Sequence, residues 1–211
     1  MSMKHGLFFI CLLLTTILAQ PLFGQELEDY VTFKGGVYFP TVDLSELDDD
    51  FSADVTFGHF FRPNASVEAG IGYFGTEGTL TGFEPTTLGD YTKKLTYKVL
   101  PFWVTLKGYL QLLDFELYGG GGLGVYFTKF KADINSTLAG VQRVDDEKVT
   151  MGGHLLAGVN YLITDTFFVG VEGKYIITGK IKPEDSTLGE LADIENTLTG
   201  FILTGNVGFK F

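Results

Sequence analysis

A strict alternation of apolar and polar residues constrains this chain more than any other feature, and its last segment shows it most clearly. One set of positions is apolar or glycine, namely Phe201, Leu203, Gly205, Val207, Phe209 and the final Phe211. The interleaved set is mostly polar or small, namely Ile202, Thr204, Asn206, Gly208 and Lys210. A period of two places successive side chains on opposite faces of a strand. The sequence therefore predicts a strand with one apolar and one polar face.

Similar alternation recurs in eight segments, at roughly 30–39, 51–61, 66–75, 95–109, 115–128, 149–161, 167–177 and 199–211. Long polar connectors, at about 40–50, 76–94, 129–148 and 178–198, alternate with short ones at 62–65, about 110–114 and 163–165. Long loops at one end and short turns at the other are typical of barrels that cross an outer membrane. The pattern predicts an all-β, eight-stranded antiparallel up-and-down transmembrane β-barrel.

The amino-terminal segment predicts a cleaved signal peptide at 1–24 and a single barrel domain at 25–211. After Lys4, the apolar run 7–19 is shorter than the roughly 20 residues that a membrane helix needs. We expect cleavage after Gly24, with Ala19 as the alternative. The single cysteine, Cys11, lies in this segment, so the mature chain is expected to contain no disulfide or thiolate site.

Composition narrows the class of partner. The formal net charge of −11 makes nucleic acid an improbable partner. The 28 glycines let strands crowd and bend, and the 20 phenylalanines and 10 tyrosines can form girdles at the two membrane interfaces. Both features suit a small membrane barrel.

A secreted, soluble lipocalin-like barrel would show similar alternation with the faces reversed, but its loops would not alternate so regularly between long and short.

The polar face carries charges that the barrel would turn inward: Lys34, Asp54, Glu68, Lys107, Glu116, His154, Glu172, Lys174 and Lys210. Charges in a lumen just wide enough for side chains are costly unless they pair. We therefore predict a network of ion pairs across the lumen, with His154 bonded to a carboxylate. The network can be a structural plug, or a gated polar path in which Glu172, Lys174 or Glu68 rearranges.

Three internal segments and the closing strand resemble the eight-stranded outer-membrane β-barrel superfamily, which includes OmpA-type barrels, OmpX, OmpW and the opacity proteins. They are KGGVYFP at 34–40, LYGGGGLGVY at 117–126 and AGVNYLITD at 157–165. The resemblance implies residence in the cell outer membrane of a Gram-negative-type envelope. It also implies contact with lipid, lipopolysaccharide and the barrel-assembly machinery, with Phe209 and Phe211 in the assembly signal.

Motifs for chemistry are weak in this sequence. Of the two histidines beyond the signal peptide, His59 is predicted to face lipid, away from Ser66, and His154 has no serine near it in the pattern. We therefore predict no enzyme activity and no cofactor. The acids Asp48, Asp49 and Asp50 are weak candidates for a Ca²⁺ site but lack the spacing of a calcium-binding loop.

Taken together, these features predict a non-enzymatic outer-membrane β-barrel with a charge-plugged lumen and four exposed acidic loops. Its role would lie at the cell surface or in envelope integrity, and extracellular ligands could bind through the loops. The alternative is a narrow OmpW-like, porin-like channel for small solutes or apolar molecules. The charged inward set departs from the apolar lumen that such a channel implies.

Overall fold

The computed structural model describes residues 28–41, 49–84, 89–137, 140–179 and 198–211. Its eight strands are β1 (Asp29–Pro40), β2 (Asp50–Arg62), β3 (Ala65–Glu84), β4 (Gly89–Leu112), β5 (Phe115–Ser136), β6 (Gly140–Leu162), β7 (Phe167–Thr178) and β8 (Gly200–Lys210). Each strand pairs antiparallel with the next, and β8 returns to β1, so the sheet is a closed barrel. The predicted fold class is confirmed. The predicted signal peptide at 1–24 lies outside the described residues.

Closure of the barrel depends on the two ends of the described chain. Tyr30 on β1 pairs with Lys210 on β8, and the register continues as far as Pro40 and Gly200. Below this ladder, the backbone amides of Asp29 and Phe211 each donate to the other residue's carbonyl, at 2.9 and 2.8 Å. A closed ladder leaves no sheet edge around the body of the barrel, so every backbone group there has a neighbouring strand.

The two faces of the sheet are inverted relative to those of a soluble protein. Leu123 and Leu155 point outward with 71% and 64% of their surface exposed, whereas Glu172 and Lys174 are only 1% and 2% exposed in the lumen. A lipocalin-like barrel would have these faces reversed. An apolar exterior and a polar interior instead suit a barrel whose surroundings are hydrocarbon. No helix in the described part of the chain is long and apolar enough to cross a membrane.

The strands β3 to β6 are longer than the sequence predicts. The segments 76–94 and 129–148, expected to be long loops, instead continue these strands into two tall hairpins that leave only 85–88 and 137–139 between them. In these parts the outward face also carries polar residues such as Glu77 and Lys129, while buried residues such as Thr76 and Ser136 are polar as well, so the contrast that marks a strand is lost from the sequence. The other two predicted long connectors, 40–50 and 178–198, fall largely outside the described residues.

One interruption of the pairing lies midway along the β3–β4 seam. The regular ladder pairs Ile71 with Phe102 and resumes at Phe74 with Val99. Pro101 lies in this gap and has no N–H to donate to a neighbouring strand. Pro101 is buried on the lumenal side, and Trp103 on the same strand is only 3% exposed. The seam is therefore backed by side chains from inside the barrel.

Candidate functional site: the lumen of the barrel

The centre of the lumen is an ion-pair cluster built around Glu172. The Nζ atom of Lys34 lies 2.9 Å from Glu172 Oε2 and 3.2 Å from Glu68 Oε1. Lys107 bridges the same two carboxylates, at 2.7 Å from Glu68 and 3.2 Å from Glu172. The hydroxyl group of Tyr118 also donates to Glu172, at 3.1 Å. Two ammonium groups and two carboxylates, all nearly inaccessible to solvent, therefore neutralise each other in one connected network.

A second pair extends this network toward β2. The ammonium group of Lys174 lies 3.2 Å from Asp54 Oδ2 and 3.7 Å from Glu172 Oε1. It also lies 3.6 Å from the centre of the Trp103 ring, where a buried cation is attracted to the negative face of the aromatic system. Within the central cluster the three lysines are balanced by Asp54, Glu68 and Glu172. The lumen thus carries no net charge at its middle.

The end of the lumen near the short turns is closed by aromatic rings. Tyr30, Phe60 and Phe168 form a buried cluster, and Tyr109 packs against it. The Tyr30 hydroxyl connects the cluster to the ion pairs through contacts of 3.0 Å with Ser66 and 3.2 Å with Glu68.

A further ion pair, between Lys210 and Glu116, lies beside this cluster. The remaining cavity there has a volume of about 10 Å³, which is room for about one water molecule.

The end of the lumen near the long connectors is closed by a larger apolar cluster. Its buried members are Tyr38, Phe74, Leu95, Tyr97, Val99, Tyr126, Ile176, Leu198 and Ile202. The rings of Tyr38 and Phe74 pack with their centres 4.6 Å apart, and Phe130 packs against Tyr97 at 4.8 Å. The lumen therefore has three layers, with the ion pairs held between two layers of rings.

Glycines on neighbouring strands make space for these rings. A Cβ atom added to Gly200 would lie 2.7 Å from Tyr38 Cζ, and one added to Gly208 would collide with the Phe168 ring. Contacts this short would force the ring or the strand to move. The inward glycines thus match the inward aromatic residues in position, which is how eight strands can enclose side chains of this size.

All nine charged residues predicted to face inward lie on the lumenal face, but one predicted contact is wrong. His154 Nε2 lies 2.8 Å from Thr105 Oγ1, rather than beside a carboxylate. Its ring packs against Trp103 at 6.0 Å, and the Nδ1 atom has no partner within hydrogen-bond distance. Alternation gives the correct face for His154, but its partner depends on the register of the strands, which places Thr105 and His154 on either side of Gly122 in one cross-strand row.

The other predicted sites lie at the ends of the barrel. His59 Nδ1 is 2.7 Å from Asp29 Oδ1 on the exterior near the short turns. Phe209 and Phe211 are exposed near the same end, and Phe209 packs against Phe167 at 4.9 Å.

Of the weak metal candidates, Asp48 lies outside the described residues and Asp50 begins β2, where its Oδ1 accepts a hydrogen bond from the Phe51 amide. Asp49 precedes the strand, and no group of three possible metal ligands occurs in the described part of the chain.

Several polar atoms inside the barrel have no protein partner. They include Asp54 Oδ1, Thr56 Oγ1 and Trp103 Nε1 on the β2–β4 side, and Glu116 Oε2, Asn160 Oδ1 and Asn206 Oδ1 near the short turns. Buried polar atoms in proteins are normally bonded, either to protein or to an ordered water. We therefore expect individual water molecules between the side chains of the lumen.

Sequence reasoning missed the tyrosines and the tryptophan that complete this site. Tyr118 donates to the central carboxylate and Trp103 lies under an ammonium group. Alternation places both on the inward face but gives neither a role. The sequence does contain a sign of these roles. Tyr118 and Trp103 are separated by even numbers of residues from Glu116 and Lys107, so they share the charged inward face, where large polar rings can contact those charges.

Comparison with known proteins agrees with this architecture. The family model described as outer membrane protein beta-barrel domain matches residues 9–211, and the chain belongs to this family. It is therefore a protein of the cell outer membrane. No curated protein matches the sequence.

Three solved structures show the same fold at low sequence identity. Outer membrane protein OprG from Pseudomonas aeruginosa has a TM-score of 0.55 at 16% identity, over 87% of this chain and 95% of that one. A major outer membrane protein from Thermus thermophilus has a TM-score of 0.52 at 12% identity, over 89% and 100%. Neisserial surface protein A has a TM-score of 0.51 at 14% identity, over 87% and 97%. Such identities carry information about the fold alone.

Proposed function

We propose that this chain is a non-enzymatic structural protein of the outer membrane whose lumen is closed by an internal plug. Its role lies at the cell surface or in envelope integrity, and its binding to the environment is carried by the segments that connect the strands at the long-connector end. The observation that carries the proposal is the position of Glu172, which contacts Lys34, Lys107, Lys174 and Tyr118 in the middle of the lumen.

The energetics of the central cluster favour a plug. Opening a path would separate carboxylates from ammonium groups that are 3% exposed or less. Removing one partner from such a pair costs about 3–5 kcal/mol. The two ring layers would also have to move, because the charges lie between them. A closed lumen therefore satisfies the buried charges at the least cost.

The surroundings of the histidines and Ser66 support the proposal that the chain is not an enzyme. His154 is bonded to Thr105, and Ser66 is bonded to the hydroxyls of Tyr30 and Tyr109. His59 pairs with Asp29 on the outer face. None of these contacts places a histidine beside a serine, which nucleophilic catalysis of acyl transfer would require.

Solute release from proteoliposomes tests the proposal. The refolded barrel is reconstituted into vesicles loaded with a small neutral sugar, with protein-free vesicles as the control. We expect the two preparations to retain the sugar equally. Faster release with the barrel present, in proportion to the amount of protein, would contradict a closed lumen.

A narrow channel is the second candidate, favoured by the lumenal polar atoms that have no protein partner. Water molecules at these atoms would form part of a path that opens when side chains move at Glu68, Glu172 or Lys174 and in the two ring layers. This alternative predicts release of the smallest sugar but retention of a larger one. It also predicts that Glu172→Gln changes the rate of release without changing stability.

A further inference from the structure

The outer surface of the tall sheet changes from apolar to charged at a single row of residues. In the last apolar row, Leu100 pairs with Phe127, which pairs with Val149. In the next outward row, two residues further along each strand, Lys98 pairs with Lys129, which pairs with Glu147. The lysines therefore lie directly above the apolar belt, on the side of the barrel with the long connectors.

The apolar belt is the outward apolar surface that ends at Leu100, Phe127 and Val149. Its height places the row of lysines in the headgroup layer of the membrane. The outward face of β5 is apolar or glycine from Phe115 to Phe127. At about 3.3 Å per residue and a strand tilt of about 45°, this stretch spans roughly 28 Å across the membrane. The apolar band of such barrels is about 25 Å tall. Lys98 and Lys129 are thus the first residues outside the hydrocarbon.

The pairing of Lys98 with Lys129 is unfavourable in the protein alone. Side chains directly opposite each other on neighbouring strands have Cβ atoms about 4.5–5.5 Å apart, and like charges there destabilise the sheet. Lys129 is partly compensated by Glu147 at 2.8 Å, and the hydrogen bond to Glu147 raises the pKa of Lys129. Lys98 has no acidic partner among the residues that the structure describes. The row therefore contains a lysine without an ion pair. An acid is nearby, since a Cβ atom added to Gly75, the β3 residue opposite Lys98, would lie 3.1 Å from Asp50 Oδ2.

The neighbouring lysines on the outer surface are paired with acidic residues, in contrast to Lys98. Lys94 pairs with Glu77 at 3.2 Å, and Lys131 lies 3.7 Å from Asp145. These two lysines and the Lys98–Lys129 pair are the outward lysines whose side chains the structure describes. All four lie on β4 and β5, although the chain has a net charge of −11. Lys98 is thus an outward lysine without an ion pair in an acidic protein.

We propose that Lys98 and Lys129 bind the phosphate of an anionic lipid in the outer leaflet, with its acyl chains against Leu100 and Phe127. A phosphate between the two ammonium groups would accept hydrogen bonds from both and convert their repulsion into attraction. The belt below supplies the apolar contact that a free phosphate ion in solution would not use. The proposal is independent of whether the lumen is closed.

Binding of lipid A to the purified, refolded barrel in neutral detergent tests the proposal, with native mass spectrometry counting the bound lipid. The probes are lipid A with two phosphates and the same acylated disaccharide without phosphate. We expect the phosphorylated probe to bind more tightly. Lys98→Gln and Lys129→Gln should each weaken its binding about fivefold, equivalent to about 1 kcal/mol for a lysine near an anionic surface. Added salt should reduce the difference.

Lys94→Gln is the matched control, because Lys94 is outward and exposed but is paired with Glu77 and lies farther from the belt. It should bind the phosphorylated probe like the unchanged protein, and Lys98→Arg should retain most of the affinity. Unfolding by urea without the probe shows that the variants fold, and Lys98→Gln should be no less stable there. Equal binding of the two probes, or equal loss in Lys94→Gln and Lys98→Gln, would overturn the proposal.

Discussion

The ammonium group of Lys34 on β1 lies 2.9 Å from a carboxylate oxygen of Glu172 on β7, although 138 positions separate them in the sequence. The two strands are not hydrogen-bonded neighbours, because β8 lies between them. The contact therefore bridges β8 on the lumenal side and requires the pairing of β8 with β1 that closes the barrel. Together with Lys107 and Glu68, it makes the lumen part of what holds the strands together.

Replacement of Glu172 should destabilise the barrel strongly. Glu172→Ala leaves Lys34 and Lys107 without one of their carboxylates, and a broken buried pair costs about 3–5 kcal/mol. Urea unfolding of the barrel in detergent measures this loss. Glu147→Ala is the control, because it breaks the exposed pair with Lys129 and should change stability little. Equal effects of the two substitutions would contradict a structural role for the lumenal charges.

The pair between Asp54 and Lys174 should show strong coupling. Lys174→Met leaves Asp54 without an ion pair, and Asp54→Leu leaves Lys174 only its longer contact with Glu172, so each should cost up to about 3–5 kcal/mol. The double variant removes both charges and should cost much less than the sum, since apolar side chains can replace a buried pair at little cost. A double-mutant cycle from unfolding measurements gives the coupling energy. Additive losses would show that the two charges do not depend on each other.

Inward glycines should tolerate side chains poorly, in contrast to outward ones. Gly200→Val places carbon atoms against the Tyr38 ring, so we expect a loss of about 1–3 kcal/mol from overpacking. Gly35→Val is the matched control on the outer face, where an added Cβ atom meets nothing within 4 Å. Unfolding midpoints of the two variants test the difference. A similar loss in both would place its origin in the strand backbone.

The hairpins above the belt should be recognisable by hydrogen exchange. There, β4 and β5 have neighbours on both sides. Among the residues that the structure describes, 140–149 of β6 pair only with β5. We expect most amides of 128–136 to be protected and alternate amides of 140–149 to exchange quickly. Fast exchange throughout both segments would mean that they behave as the loops the sequence pattern indicated.

The faces of the barrel could be predicted because each strand in the membrane meets two different environments. The spacing alone places Glu172 and Lys174 in the lumen, with Val171 and Tyr175 outside, and the burial of these residues agrees. The closed eight-stranded topology followed from the number of segments and the alternation of long and short connectors. The local sequence pattern is therefore sufficient to predict the two faces and the strand topology.

The heights of the strands and the contacts across the lumen could not be predicted in this way. Above the belt, Lys129 and Glu147 are an exposed cross-strand pair, and exposed polar residues look the same in a hairpin and in a loop. Inside, the partner of His154 is Thr105 because the register of β4, β5 and β6 places both residues in one row, on either side of Gly122. The stagger of a barrel is a property of the closed sheet and cannot be read from one strand.

Single-channel recording from the refolded barrel in planar bilayers tests the closed lumen most directly. We predict no discrete current steps from the unchanged protein, because the ion pairs of Glu172 are held between two layers of aromatic and apolar side chains. Reproducible steps whose ion selectivity changes in Glu172→Gln would contradict this account and would make the lumenal charges the lining of a pore.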